Sequence, residues 1–400
     1  MTTASGANAR PNAKKSSFIG GLLQTLLILL ITLTLVAVFL EIGLRIFAPQ
    51  IVNPLSGLFQ PDTAAGYRLR PNVAVHYRSS EADVTFHTNE AGLRDMPNAS
   101  PPTAERTMLV LGDSFTFGMN VQDSQAFPDR MASMLAPAGG QQWKVLNAGV
   151  FGYGTDNEAA WLEEYGWQQK PTVVVVGFFV GNDVKDVMIG ITKTVATADG
   201  RLVAADVSKQ AMDRGEEDQS QGSSKSSGVR GWLENNSHAY LFLRSLWYNT
   251  LGKGKSKAAK LTIFDAASFY RKSIPPEIES GWDKTFDILR KMQEACKAHG
   301  AQLVLVAIPT REQVYPKSWD EVKAQFALNE SDFDLTVPQQ KLQAFATTRS
   351  IPYVDLLPAF KAKNSNDGLY FHVDRHWTAA GHDLAAQTIV DGLKQQGLVK

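Results

Sequence analysis

The chain has 400 residues, 44% of them apolar, with 40 basic and 40 acidic side chains and hence a formal net charge of zero. That length and apolar content can build one large domain or two smaller ones around a substantial core. Balanced charge without clustered Lys and Arg argues against a dedicated nucleic-acid binder, and the single cysteine, Cys296, excludes an intrachain disulfide.

Phe18 to Leu40 carries no charged side chain, its polar members being Gln24, Thr25, Thr32 and Thr34. As a helix this run extends about 34 Å, enough to cross a hydrocarbon core of roughly 30 Å. Arg10, Lys14 and Lys15 precede it with no acidic residue among them. The positive-inside tendency therefore keeps residues 1–17 cytoplasmic, makes 18–40 a single membrane anchor of the cytoplasmic membrane, and sends the remainder outside. A cleaved signal peptide is the competing reading, but the run is longer than the usual h-region and no small-x-small site clearly follows it. Glu41 and Arg45 are spaced to pair if the helix continues past the membrane.

Residues 41–104 form an extracytoplasmic connecting region. Within it, Val73 to Tyr77 and Val84 to His87 predict a small hairpin around the polar turn Ser79-Ser80-Glu81. From Thr107 the rhythm changes. Met108 to Leu111 predicts a buried strand, Ala126 to Leu135 a helix, Trp143 to Leu146 a second strand, and the pattern through Ala160, Leu162 and Tyr165 a second helix. Val173 to Val180 has the uninterrupted apolar character of a strand covered on both faces. Asp283 to His299 predicts a helix on which Trp282, Phe286, Leu289, Met292 and Cys296 share one face, so Cys296 reads as a buried apolar residue. The strand Gln302 to Ile308 follows, then the helix Gln339 to Arg349, the strand Tyr353 to Leu356 and the closing helix Ala379 to Leu393. Strands alternating with helices over 105–396 indicate a three-layer α/β domain with a mostly parallel sheet.

An insertion at about 199–260 interrupts that pattern. Asp213 to Gly228 is too polar to offset its ordering entropy and is expected to be disordered. Trp232 to Leu251 is apolar enough for a helix that acts as a lid, faces the membrane or a partner, or packs on the core. The Lys253-Gly-Lys255-Ser-Lys257 run reads as a solvated loop.

Chemistry concentrates at the strand ends. The segment MLVLGDSFTFG ends a strand at Gly112 and puts Ser114 at a helix start, above the sheet edge where open α/β folds bind ligands. Near the other end of the chain, Asp374 and His376 lie in a turn before a helix whose N-cap is Thr378. His376 could take the Ser114 proton, with Asp374 holding the imidazole in its useful tautomer. An oxyanion needs fixed donors. The candidates are the Ser114 backbone N–H, the Gly152 N–H after the second strand, and the Asn182 amide after the third.

These segments resemble the blocks of the SGNH hydrolase superfamily, also called GDSL-type lipases and esterases. Gly112-Asp113-Ser114 matches the first block and the nucleophile. Gly152 matches the second and Asn182 the third, both oxyanion donors in that family, and Asp374 with His376 matches the acid and base of the fifth. Val180 stands where the third block has its first glycine. Asp374 and His376 are two apart rather than three and precede Trp377, a form similar to the branch that includes alginate O-acetylation proteins. The segment Glu41 to Asp95 resembles the leader of membrane-anchored bacterial members. The resemblance implies a flavodoxin-like α/β/α fold and serine-dependent hydrolysis of an O-acyl ester, carbohydrate-linked and short-chain, through an acyl-enzyme. O-acyltransfer to an envelope or exopolysaccharide is the alternative, because only the nucleophile that resolves the acyl-enzyme differs. Transfer outside the membrane calls for an acyl donor brought across it, hence a multi-spanning acyl exporter as partner.

Other readings of the same residues remain. His372, Asp374 and His376, with His382 nearby, could ligate a metal, but that leaves Ser114, Gly152 and Asn182 unexplained; no metal or organic cofactor is called for. A non-catalytic glycan-binding or assembly protein could share the fold. Tyr153, Arg311 and Trp377 are candidate substrate contacts. His76, His87, His238 and His299 lack acidic neighbours in an arrangement comparable to Asp374 and His376 and read as ordinary surface or packing residues.

Overall fold

The computed structural model describes residues 13–48, 50, 55–95, 106–135, 143–191, 194–197, 200–204, 233, 236–250, 261–363 and 368–399. The polar stretch Asp213 to Gly228, the lysine run at 253–257 and the first part of the cytoplasmic tail lie outside the described residues.

Five strands form one parallel sheet: β5 (Arg106–Gly112), β6 (Trp143–Gly149), β7 (Val173–Phe179), β10 (Gln302–Ile308) and β11 (Tyr353–Asp355), in the order β11-β10-β7-β5-β6. Numbered within the sheet from the first strand this is 2-1-3-4-5, the flavodoxin-like order. Side chains along the central strands alternate between two apolar clusters. Leu109, Leu111, Val174, Val176, Leu303 and Leu305 enter one, and Met108, Val110, Val173, Val175, Val304 and Val306 enter the other. That is why these strands read as continuous apolar runs. The first cluster is covered by helices Thr155–Glu164, Pro276–Ala298 and Val337–Arg349, and Cys296 is buried in it. The second is covered by Phe127–Met134, Leu357–Ala362 and Ala379–Gln395. The result is the expected three-layer α/β/α arrangement.

Boundaries moved where local capping outweighs apolar spacing. The helix predicted from Asp283 starts at Pro276, since proline at the first helical position needs no N–H partner. Thr378 does cap the last helix, accepting from the Gly381 N–H. Among the described residues, one helix is long and apolar enough to cross a membrane: Ala13–Phe47, whose segment Gly21–Phe47 contains an 18-residue stretch of mean hydropathy 2.7 with no buried residue. Glu41 and Arg45 pair on it at 2.7 Å.

The region from 41 to 104 is more than a connector. It contains the antiparallel pairs β1 (Phe59–Asp62) with β2 (Gly66–Leu69) and β3 (Ala74–Arg78) with β4 (Asp83–His87). The second pair is the predicted hairpin. The first was not foreseen, because Phe-Gln-Pro-Asp carries no strand periodicity. Phe59, Tyr67, Leu69 and Phe86 sit in the same apolar cluster as the sheet. A further short pair, β8 (Thr194–Ala196) with β9 (Leu202–Ala204), opens the insertion.

Candidate active site

The turn after β5 is set by a row of glycines. Gly112 lies opposite Gly149 on β6 and Gly177 on β7. A Cβ on Gly149 would approach the Phe117 backbone nitrogen to 2.2 Å, and one on Gly177 would approach Thr116 Oγ1 to 2.6 Å. The row lets the one-turn helix Ser114–Phe117 settle onto the sheet edge, at the point where the strand order reverses. Asp113 caps this turn, accepting from the Phe115 N–H at 2.8 Å. Ser114 is left 7% exposed.

Ser114 Oγ lies 2.7 Å from His376 Nε2, and His376 Nδ1 is hydrogen-bonded to Asp374 Oδ1. The two-residue spacing works because Arg375 adopts a left-handed conformation, φ +69°. The chain then folds back so that Asp374 also accepts from the His376 backbone N–H at 3.3 Å. That conformation costs a side-chain-bearing residue about 1–2 kcal/mol, and the Arg375 side chain is held by Glu312 at 3.1 Å. Burial disfavours the imidazolium, but the Asp374 carboxylate outweighs it and raises the His376 pKa above its ordinary value. Burial likewise acts against the Asp374 carboxylate, and the imidazolium and its hydrogen bonds overcome that and lower its pKa.

Asn182 precedes helix Asp183–Ile189 at the end of β7, with its side-chain amide near the Asp113 carboxyl. Burial pushes the Asp113 carboxyl up to about 6 against the Phe115 N–H and this amide. Gly152 follows β6 at the same sheet edge with φ +79°. The ends of β5, β6 and β7 thus bring the three candidate oxyanion donors to one edge of the sheet.

Several residues that support this arrangement carried no motif. Glu81, in the β3–β4 turn, accepts from the backbone N–H groups of His372 (2.8 Å), Val373 (3.1 Å) and Asp374 (2.9 Å), gripping the loop that presents the acid. The buried Asn120 amide lies near Asp374 and helps to lower its pKa. Arg94 is 1% exposed and donates to Asp123, to the carbonyls of Gly118 (2.5 Å) and Val121 (2.6 Å), and to that of Phe117. It lies between the rings of Phe86 and Phe117 and fixes the chain just after the serine turn. The sequence signal here was the likeness of the segment Glu41 to Asp95 to a family leader.

Two candidate substrate contacts are core residues. Tyr153 is fully buried and its hydroxyl donates to the Tyr67 carbonyl; Trp377 is fully buried among Phe115, Phe127 and Phe360. Arg311 donates to the His372 carbonyl at 3.2 Å, bracing the acid loop from the β10 end. The metal reading finds little geometry in its favour. Both ring nitrogens of His376 are engaged as described, while the buried His382 accepts from the Phe127 N–H at 3.2 Å and burial lowers its pKa to about 3. His76 and His87 pair with Asp83 at 2.7 Å and Asp123 at 2.6 Å, the first across the hairpin and the second between segments distant in sequence.

Residues 269–400 match the family described as "SGNH hydrolase-like domain, acetyltransferase AlgX". The chain is 22% identical over 112 residues to a probable alginate O-acetylase AlgJ of Pseudomonas putida, covering 28% of this chain and 27% of that protein. It is 30% identical over 107 residues to the AlgJ of Pseudomonas fluorescens, covering 26% and 25% respectively, so it spans about a quarter of the length of these curated relatives. The crystal structure of a lipase/acylhydrolase from Enterococcus faecalis aligns with 74% of this chain and 97% of its own at TM-score 0.39 and 15% identity, too distant to bear on activity. The matched segment contains Asp374 and His376, and His376 is hydrogen-bonded both to Asp374 and to the serine of the Gly-Asp-Ser block. The last third of the chain, residues 269–400, is thus similar to the SGNH hydrolase-like domain, and it lies within the three-layer α/β architecture described above.

Proposed function

We propose that this protein is a serine-dependent O-acyltransferase that moves a short acyl group, acetyl by its relatives' descriptions, onto a hydroxyl of a polysaccharide outside the cytoplasmic membrane. The observation that carries the reading is the hydrogen-bonded chain from Ser114 Oγ through His376 to Asp374. His376 Nε2 takes the Ser114 proton as Oγ attacks the acyl carbonyl, and gives it to the departing donor oxygen. The carbonyl oxygen, negative in the tetrahedral state, is met by the N–H groups of Ser114 and Gly152 and the amide of Asn182. A sugar hydroxyl, deprotonated by the same imidazole, then takes the acyl group from Ser114. Asp374 keeps Nδ1 protonated throughout and offsets the imidazolium charge.

Transfer is favoured over hydrolysis because the matched family is described as acetyltransferase and the curated relatives as O-acetylases. Water in place of the sugar would give an esterase by the same steps. The apolar helix, with the basic residues before it, supports an anchored protein with its N-terminus inside; an exported transferase of this kind needs its acyl donor delivered by a membrane exporter.

The test is labelling of the full chain with a serine-reactive fluorophosphonate, followed by acetyl transfer from an aryl acetate to an oligosaccharide, read by mass. Wild type should label and acetylate, while Ser114→Ala should do neither and His376→Ala should lose at least about a thousandfold in rate. Labelling with release of acetate alone would select the esterase. A folded chain that does not label would leave a glycan-binding role on this fold.

A further inference from the structure

We propose that the helix His238–Thr250 is an interfacial membrane helix, lying in the acyl–headgroup boundary of the bilayer that the N-terminal helix crosses. The inference rests on the membrane-anchor reading of that helix and adds a second point of contact between the catalytic body and the lipid.

The two helices are locked together at the place where the apolar span ends. Glu41 accepts from the backbone N–H groups of His238 (3.0 Å) and Ala239 (2.9 Å) and from Ser237 Oγ (2.9 Å). It therefore caps the N-terminus of the second helix, where a negative charge is favoured by the helix dipole. Arg45, paired with Glu41, donates to the Asn236 carbonyl at 2.8 Å, and the Gln50 N–H donates to His238 Nδ1 at 2.8 Å. Glu41 is the first charged side chain after Lys15. A charge is costly in hydrocarbon, so this polar knot marks the level at which the chain leaves it. The second helix starts at that level.

What the helix then exposes fits lipid rather than water. Leu243, Leu246 and Trp247 fall on one face at i, i+3 and i+4 and are 51%, 46% and 58% exposed. Beyond Glu41 the spanning helix adds Ile42, Ile46 and Phe47 at 49%, 61% and 86%. Scattered single apolar side chains on a surface need no cause, but three on one face beside a membrane exit do. A tryptophan at the headgroup level and an apolar face beside a charged helix start are the features of interfacial segments. The bilayer is the occupant that the chain's own anchor brings within reach.

The experiment uses the full chain in phosphatidylcholine–phosphatidylglycerol vesicles with a nitroxide on a single introduced cysteine. Native Cys296 is fully buried and stays unlabelled. Leu243→Cys, Leu246→Cys and Trp247→Cys are compared with a lipid-facing site, Leu30→Cys, and an aqueous site, Lys291→Cys. Circular dichroism melts check that each variant is folded. Collision with oxygen should exceed collision with a water-soluble nickel chelate at all three helix sites, as at Leu30. Chelate access matching that at Lys291, with Leu30 still lipid-like, would place the helix in water and overturn the proposal. Loss of access to both reagents would mean that protein, a second copy or another chain, covers the face, and would overturn it too. If the Leu30 label itself met the chelate, or the protein failed to float with the vesicles, the anchor reading would fail and the proposal with it.

Discussion

At the level of single residues, the proton inventory of the site makes a signed prediction. His376 must be neutral to accept the Ser114 proton, and Asp374 raises its pKa against the effect of burial. The acid limb of kcat/KM should therefore sit above the ordinary histidine value of about 6.5, with activity lost as pH falls through it. Stability runs the other way for this group. A raised folded pKa contributes stability that is full below the unfolded value and lost as pH rises through the folded one, whereas the lowered Asp374 pKa contributes stability above about 3.9 that is lost on acidification. The ion pair is thus strongest between the two titrations, below the range in which the base can act. Asp374→Asn should move the acid limb to lower pH while cutting kcat by up to about 10⁴-fold, since the wrong tautomer is then favoured. A limb unmoved by that substitution, in a pH-rate series on aryl acetate, would show that some other group is the base. The juxtaposition of Ser114, Asp374 and His376 was legible in the sequence because each falls beside a strand or helix boundary that local pattern reveals. Tyr153 and Trp377 were misread for the converse reason. An aromatic residue next to a motif looks like a pocket wall, and only three-dimensional packing shows that Tyr153 reaches inward to Tyr67 and Trp377 to three phenylalanines.

Among elements, the β3–β4 hairpin has a role that its sequence did not announce. Its place in the chain and its pairing were readable from alternating Val and aromatic residues, and the registered pair Tyr77 with Val84 matches that reading. Its contact with the acid loop was not, because a glutamate in a polar turn looks the same whether it meets water or three backbone N–H groups nearly three hundred residues away. Glu81 is a positioning residue: it holds the backbone from His372 to Asp374, and so the carboxylate that orients His376. Glu81→Ala should lower kcat about 10- to 100-fold with KM little changed, the scale on which small misplacements of a catalytic group are felt. Glu81→Gln, which keeps one oxygen to accept, should recover part of that loss. Fluorophosphonate labelling should slow in parallel. If the alanine variant lost thermal stability but kept kcat, the hairpin would be scaffolding and nothing more. The sheet, by contrast, was legible almost strand by strand. Burial on both faces writes itself into a sequence as an unbroken apolar run, while a short pair such as β1–β2 depends on a partner that no local window contains.

Taken as a whole, the molecule does not divide where its composition changes. A unit beginning at residue 105 is the natural sequence-based boundary, since the strand–helix rhythm starts there. Yet Phe59, Tyr67, Leu69, Phe86 and Leu93 are all at most 1% exposed and pack into the cluster on one face of the sheet. Arg94, from the same region, holds the chain after Ser114. Each large apolar side chain contributes roughly 1.5–3 kcal/mol on burial, so the set rivals the 5–15 kcal/mol by which whole domains are stable. Removing it would also leave the buried Asp123 without its guanidinium partner, a change that costs about 3–5 kcal/mol by itself. A fragment from Leu55 to Lys400 should therefore melt cooperatively and label at Ser114, and one from Arg106 to Lys400 should show neither behaviour. Cooperative melting of the shorter fragment at the temperature of the longer would mean that the leader merely lies against a self-sufficient domain. The longer fragment carries its own consequence. It lacks Glu41 and Arg45, so the helix His238–Thr250 loses its cap and its neighbour while keeping Leu243, Leu246 and Trp247 exposed. That fragment should remain folded but self-associate at concentrations where the charge-introducing triple substitution Leu243→Glu, Leu246→Glu and Trp247→Glu keeps it monomeric in sedimentation. Equal sedimentation of the two would mean that the exposed face has no apolar partner to seek once the anchor is gone.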